Sequence, residues 1–189
     1  MFEKLIMNKK MTIMFLAICF ILTQVIIAGS TFAEENDLSR ISGVDRYQTA
    51  VQISQKGWES ADYAVLARGD SFADALCAGP LAFQYDGPIL LTQPDKINSA
   101  TLQELKRLGV KHLFIIGGTG AIAESVEGKL KAEGIEDIAR IYGKDRYETS
   151  VKIAEKIGES REVTKAALAT GANFPDALSI SGVAAEKGM

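Results

Sequence analysis

A block of ten residues recurs one hundred positions along the chain. Arg40-Ile-Ser-Gly-Val-Asp-Arg-Tyr47-Gln-Thr49 returns as Arg140-Ile-Tyr-Gly-Lys-Asp-Arg-Tyr147-Glu-Thr149. A second block, Ala67-Arg-Gly-Asp-Ser-Phe72-Ala-Asp74-Ala-Leu76, returns as Ala169-Thr-Gly-Ala-Asn-Phe174-Pro-Asp176-Ala-Leu178, displaced by 102. Two matched blocks in one order imply duplication of a whole structural unit. The long period gives each unit room for an α/β core of its own, unlike a helical-solenoid repeat of about 30–40 residues.

Two kinds of segment alternate within the first unit. Residues 45–56 have helical spacing through Tyr47, Ala50, Val51 and Ile53, and 63–67 form a compact apolar strand. A helix starting near Ser71 carries Phe72, Ala75, Leu76 and Ala82; Gly87-Pro88 then opens a strand over 89–91. Residues 99–108 read as a helix, 111–117 as a strand, 121–131 as a helix, with short strands at 40–41 and 138–141. Short apolar strands alternating with amphipathic helices predict an α/β fold of tandem repeat units, each a mostly parallel sheet covered by helices in three layers. The open sheet edge of each unit is expected to be covered by its neighbour. Asp70, Asn98 and Thr119 fall near helix starts, where small polar side chains cap amides. The loops after the strands carry Arg68, Asp70, Thr92, Thr119, Asp145 and Arg146, and in open α/β sheets ligands sit in the crevice beyond the strand C-terminal ends.

Residues 1–33 read as a secretory signal peptide. Lys4, Lys9 and Lys10 precede an apolar stretch over 11–29, and Thr31-Phe32-Ala33 puts small residues at −3 and −1 of a cut before Glu34. An uncleaved membrane anchor is the alternative; after cleavage no stable membrane insertion is expected. Ile18 before Cys19 is bulky where a lipid-modified cysteine normally follows a small residue. Cleavage takes 21 basic and 24 acidic residues to 18 and 23, a formal charge of −5 with His112 neutral, which argues against general nucleic-acid binding. It leaves Cys77 as the single cysteine, so no intramolecular disulfide forms, and a lone thiol in a helix reads as packing. Residues 34–137 make a first unit and 138–189 a partial second, which stops before the counterpart of the strand at 89–91. The expectation is a truncated copy, with self-association of chains as the other way to supply the missing parts.

Few residues suggest chemistry. Gly117-Gly118-Thr119-Gly120 follows a strand like an anion cradle, but lacks nucleotide-loop spacing and reads first as a tight turn. Asp45-Arg46 and Asp145-Arg146 stand at helix starts beside Tyr47 and Tyr147. The aspartates cap, while the arginines either pack on a neighbouring unit or offer a fork to a carboxylate or phosphate. Asp70 and Asp74 are carboxylates one helical turn apart; the second unit keeps Asp176 for Asp74, has Ala172 for Asp70, and sets Asn173 opposite Ser71. They read as caps, turn formers or arginine partners before acid/base groups. His112 is the lone histidine, so no histidine-rich metal site forms and no metal or other cofactor is expected.

The blocks Arg40-Ile-Ser-Gly-Val-Asp-Arg-Tyr47, Phe72-Ala-Asp-Ala-Leu76, Pro88-Ile-Leu-Leu-Thr92 and Ile115-Ile-Gly-Gly-Thr119 together resemble the cell wall binding repeat 2 family. Asn173-Phe-Pro-Asp-Ala-Leu178 resembles the form seen in the family's later repeats. The resemblance covers residues 38–189 and implies a secreted, cell-wall protein of a Gram-positive, clostridial or bacillus-like bacterium. It implies three tandem copies about a pseudo-threefold axis, often joined to an amidase, protease or adhesin, that attach non-covalently to anionic wall polymers. Against that pattern, residues 38–189 are expected to hold fewer than two complete units, with no attached effector domain among them. By analogy the polymer lies in grooves between repeats, with Arg46, Arg68, Arg146 and Thr119 as ligand-binding candidates. Asp45, Tyr47, Asp70, Asp74, Asp145, Tyr147, Asn173 and Asp176 are then structural residues of the motif. A non-catalytic binding module, an α/β hydrolase using Asp70 and Asp74, and a non-binding fragment are the three functional readings.

Overall fold

The computed structural model describes residues 39–189; the predicted signal peptide lies outside them. Helix α1, Arg46–Gly57, starts where Asp45 Oδ1 accepts from the Gln48 amide at 2.8 Å. Strand β1, Tyr63–Arg68, is buried along its middle. Helices α2, Phe72–Cys77, and α3, Gly79–Gln84, occupy the stretch that the sequence pattern reads as one helix. Pro80 causes the break: it has no N–H to give the Leu76 carbonyl. Strand β2, Ile89–Thr92, helix α4, Ser99–Leu108, strand β3, His112–Ile116, and helix α5, Glu124–Ala132, follow. Then come β4, Asp137–Ile141, α6, Arg146–Gly158, and α7, Pro175–Glu186. The second unit has Gly182 where the first has Pro80, and α7 runs unbroken.

The four strands form one parallel sheet in the order β2-β1-β3-β4. Alternation along β1 sends Ala64 and Leu66 to one face and Val65 to the other. Val51, Leu105, Val126 and Leu130 bring α1, α4 and α5 onto the first face with Leu90, Leu113 and Ile115. Leu81, Ala82, Ile153 and Ile157 bring α3 and α6 onto the second with Phe114, Ile116 and Ile141. The expected three-layer α/β unit is therefore present, and it is closed by elements of the second repeat. Strand β4 pairs with β3 at the sheet edge, and α6 covers part of the second face.

The repeated helix thus has two apolar faces, each covered in a different copy. Val51 is 6% exposed and Ile53 49%; their counterparts Val151 and Ile153 are 52% and 2% exposed. The same dependence on a neighbour decides the strands. Arg140 and Ile141 lie in β4, whereas Arg40 and Ile41, expected as a short strand, have no partner strand and form none. Residues 165–170 align with β1 but pair with no strand among the described residues, and Leu168 is 98% exposed where Leu66 is fully buried. An apolar cavity of about 390 Å³ lies beside this stretch, lined by Leu76, Cys77, Val151, Ala167 and Ile180.

The helix starts correct two expected caps. Asn98 stands at the N-cap of α4, but its side chain makes no capping bond. Thr119 is exposed in the loop ahead of α5, whose N-cap is Ala123.

Candidate functional site

Beyond the C-terminal ends of β1 and β3, where open α/β sheets leave a crevice, charged and aromatic side chains of both repeats gather. Arg68 ends β1 and grips Asp70 with Nε to Oδ1 and with Nη2 to Oδ2, the latter at 2.8 Å. That hydrogen bonding holds the Asp70 carboxyl below the usual carboxylate range and raises the Arg68 guanidinium. Asp70 is thus an arginine partner rather than a helix cap, since α2 begins at Phe72 after Ser71.

The Asp-Arg-Tyr cluster works alike in both repeats. Arg46 Nη1 donates to the Gly69 carbonyl at 2.7 Å, and Arg146 Nη1 to the Gly171 carbonyl at 2.8 Å. The neighbouring tyrosines press on the same glycines: a Cβ at Gly69 would stand 2.5 Å from Tyr47 Cε1, and one at Gly171 2.6 Å from Tyr147 Cε1. Asp145 Oδ1 accepts from the Glu148 amide at 2.9 Å, as Asp45 does at α1. Each cluster therefore clamps the turn before the next Phe-x-Asp-Ala-Leu helix. The single bond to a carbonyl leaves the rest of each guanidinium fork available.

Arg146 also bridges the repeats. Its Cζ stands 5.9 Å from the centre of the Phe72 ring, and Phe72 meets Phe174 with ring centres 5.8 Å apart. Asp74 faces the loop after β3: a Cβ at Gly117 would stand 2.9 Å from Asp74 Oδ2. Burial pushes the Asp74 carboxyl up, against the pull of Arg146 and then Arg68. Arg140 fixes that loop from below, donating to the Gly117 and Ile122 carbonyls at 2.9 and 3.0 Å and pairing with Glu127 at 3.1 Å. The crevice thus holds Arg68, Asp70, Phe72, Asp74, Arg146 and the Gly117 loop, with Arg46 close enough to act on Asp70.

Of the other residues singled out in the sequence, Thr119 is exposed on the Gly117 loop, and Asn173 and Asp176 are exposed around the start of α7. Phe72, Phe174 and Arg140 were not singled out as site residues. Recurrence of phenylalanine at one place in both blocks was the available signal for the first two. His112 begins β3, at the opposite end of that strand from Gly117, roughly 15 Å from the crevice. It stacks on Tyr63 and pairs with Asp137. No histidine therefore reaches Asp70 or Asp74, and among the described residues no group of three or more His, Cys, Asp and Glu is placed to hold a metal.

The profile of cell wall binding domain 2 (CWB2) matches residues 40–127 and 140–189. The chain belongs to the CWB2 family. It is 36% identical over 173 residues to the N-acetylmuramoyl-L-alanine amidase LytC of Bacillus subtilis, covering 92% of this chain and 34% of that protein. Among solved structures, Cwp6 from Clostridium difficile is 40% identical with a TM-score of 0.75, over 78% of this chain and 23% of that one. Cwp8 from the same organism is 32% identical with a TM-score of 0.72, over 77% and 25%. This CWB2 chain spans about a third of its amidase relative and about a quarter of either solved chain.

Proposed function

We propose that this chain is a secreted, non-catalytic module that attaches to the bacterial cell wall by holding an anionic wall polymer in the crevice between its repeats. The observation that carries this reading is the gathering of Arg46, Arg68 and Arg146, drawn from two repeats, at one end of one sheet. Each retains unused donors, and guanidinium forks suit phosphate and carboxylate. Thr119, exposed on the adjoining loop, adds a hydroxyl. Membership of a cell-wall-binding family supports the same partner. Residues 1–33 serve as the export signal, 34–137 as the first repeat unit and 138–189 as a partial second. No helix among the described residues is long and apolar enough to cross a membrane.

The hydrolase reading is less well supported. Asp70 is committed to Arg68, and Asp74 has no histidine beside it to share a proton.

Co-sedimentation with isolated walls, before and after chemical removal of their anionic polymers, tests the proposal. Binding should vanish with the polymers and weaken as salt rises. Retention by stripped walls, or no binding by folded protein, would overturn it.

A further inference from the structure

Asp74 is out of place in a site built only for anions. Among the described residues its carboxylate makes no hydrogen bond and no ion pair, although it is half-buried and lies near two arginines. Arg68 is taken by Asp70, and Arg146 is turned to Gly171 and the Phe72 ring. The carboxylate instead lies against the Gly117 backbone. The Asp74 oxygens still reach solvent, but a carboxylate between arginines weakens the grip on any anion. That cost is offset when the ligand brings its own donor. The position recurs as Asp176 in the second repeat, ahead of the same Ala-Leu pair.

Resting on the polymer-binding reading above, we infer that Asp74 makes the crevice selective for an anionic polymer bearing a hydroxyl or ammonium donor beside each anionic group. Arg146 and the free edge of Arg68 hold the anion, and Asp74 accepts from the neighbouring donor. A polyanion without donors meets the same arginines but gains only repulsion from Asp74, which discriminates by penalty as well as by attraction.

Two probes separate these terms: long-chain inorganic polyphosphate, which has charge but no donors along its length, and a glycerol-phosphate polymer with free hydroxyls. Affinities are measured for the full chain, with Asp74→Ala, Asp74→Asn and Arg146→Ala. Asp74→Ala should strengthen polyphosphate binding about threefold and weaken binding of the hydroxylated polymer about tenfold. Asp74→Asn keeps an acceptor oxygen without charge, so it should gain on polyphosphate while holding the hydroxylated polymer better than Asp74→Ala does. Acylating the polymer hydroxyls should cost the unaltered chain affinity and leave Asp74→Ala unchanged. Shifts in one direction on both probes, or no shift, would overturn the assignment. If Arg146→Ala loses both probes while Asp74→Ala shows no crossover, only the selectivity falls. If the unaltered chain ignores the hydroxylated polymer, the polymer-binding reading falls with it.

Discussion

Ser181 donates its hydroxyl to the Leu76 carbonyl at 2.9 Å, taking an acceptor that Pro80 leaves open. The bond joins α7 of the second repeat to the break between α2 and α3 of the first. A proline that interrupts a helix thus creates a docking point for the neighbouring unit. Ser181→Ala should cost about 1–2 kcal/mol, because Leu76 then has no donor in a part-buried contact. In a Pro80→Ala background an amide can serve Leu76, and the cost of losing the hydroxyl should shrink. A double-mutant cycle by urea denaturation reads the coupling directly; additive losses would contradict this account.

The exchange of burial between Val51/Ile53 and Val151/Ile153 gives a paired prediction. Ile153→Ala removes a side chain 2% exposed in the inter-repeat core and should cost about 2–5 kcal/mol. Ile53→Ala, at the same place in the first repeat but 49% exposed, should fall within about 0.5 kcal/mol of the unaltered chain. Denaturant midpoints of the two variants decide the matter. Equal losses would mean that the outer face of α1 is covered in solution.

These residues also show what was legible in the sequence. The α/β class, the repeat and the parallel sheet follow from apolar strands alternating with helices, because that periodicity is local. The difference between Ile41 and Ile141 is not local: near-identical segments become coil in one copy and strand in the other, according to whether β3 lies alongside. Pro80 was visible but its effect was outweighed by the helical spacing of Phe72, Leu76 and Ala82 around it. In the site, Arg46 and Arg146 were readable as a recurring pair, and Arg68 as a residue of the loop after a strand. The contact of Asp74 with Gly117 joins the helix after β1 to the loop after β3, and nothing in their spacing announces it.

Glu104 should set part of the acid stability. It is 1% exposed on α4, and its oxygens accept from Ser54 Oγ at 2.6 Å and from Arg107 Nε and Nη2 at 2.8 and 2.7 Å. Burial alone would raise its carboxyl, but the hydrogen bonds from Arg107, Ser54 and Gln55 together hold it below the ordinary 4.5. A depressed acid stabilises the fold above its unfolded value and loses that contribution as pH falls through the folded one. Stability should therefore decline below about pH 4.5, and Glu104→Gln should flatten that limb while lowering stability at pH 7 by about 2 kcal/mol. Melting temperatures from pH 3 to 7 provide the check, and a parallel offset at every pH would refute the assignment.

Cys77 should be inert while the fold is intact. Burial, with Asp74 adding to it, pushes its thiol up to about 12, and Sγ donates to the Ala73 and Asp74 carbonyls at 3.4 and 3.3 Å. At pH 8 almost no thiolate is present. Peptide-resolved alkylation should leave Cys77 unmodified in buffer and label it rapidly in denaturant; fast labelling of folded protein would show that α2 opens.

Gly117 ties the stability of the first repeat to the geometry of the crevice. Its φ of +109° is one that side chains with a Cβ rarely adopt, and a Cβ there would stand 2.8 Å from Ala121 Cβ and 2.9 Å from Asp74 Oδ2. Gly117→Ala should cost about 1–3 kcal/mol from backbone strain. It should also push the Asp74 carboxylate away from the loop, so that polymer affinity falls even where the variant remains folded. Arg140 also holds the Gly117 and Ile122 carbonyls, so the loop has little room to yield. Measuring polymer binding well below the melting temperature separates the two effects. Lost stability with unchanged affinity would mean that Asp74 tolerates the displacement and that its position against Gly117 does not set recognition.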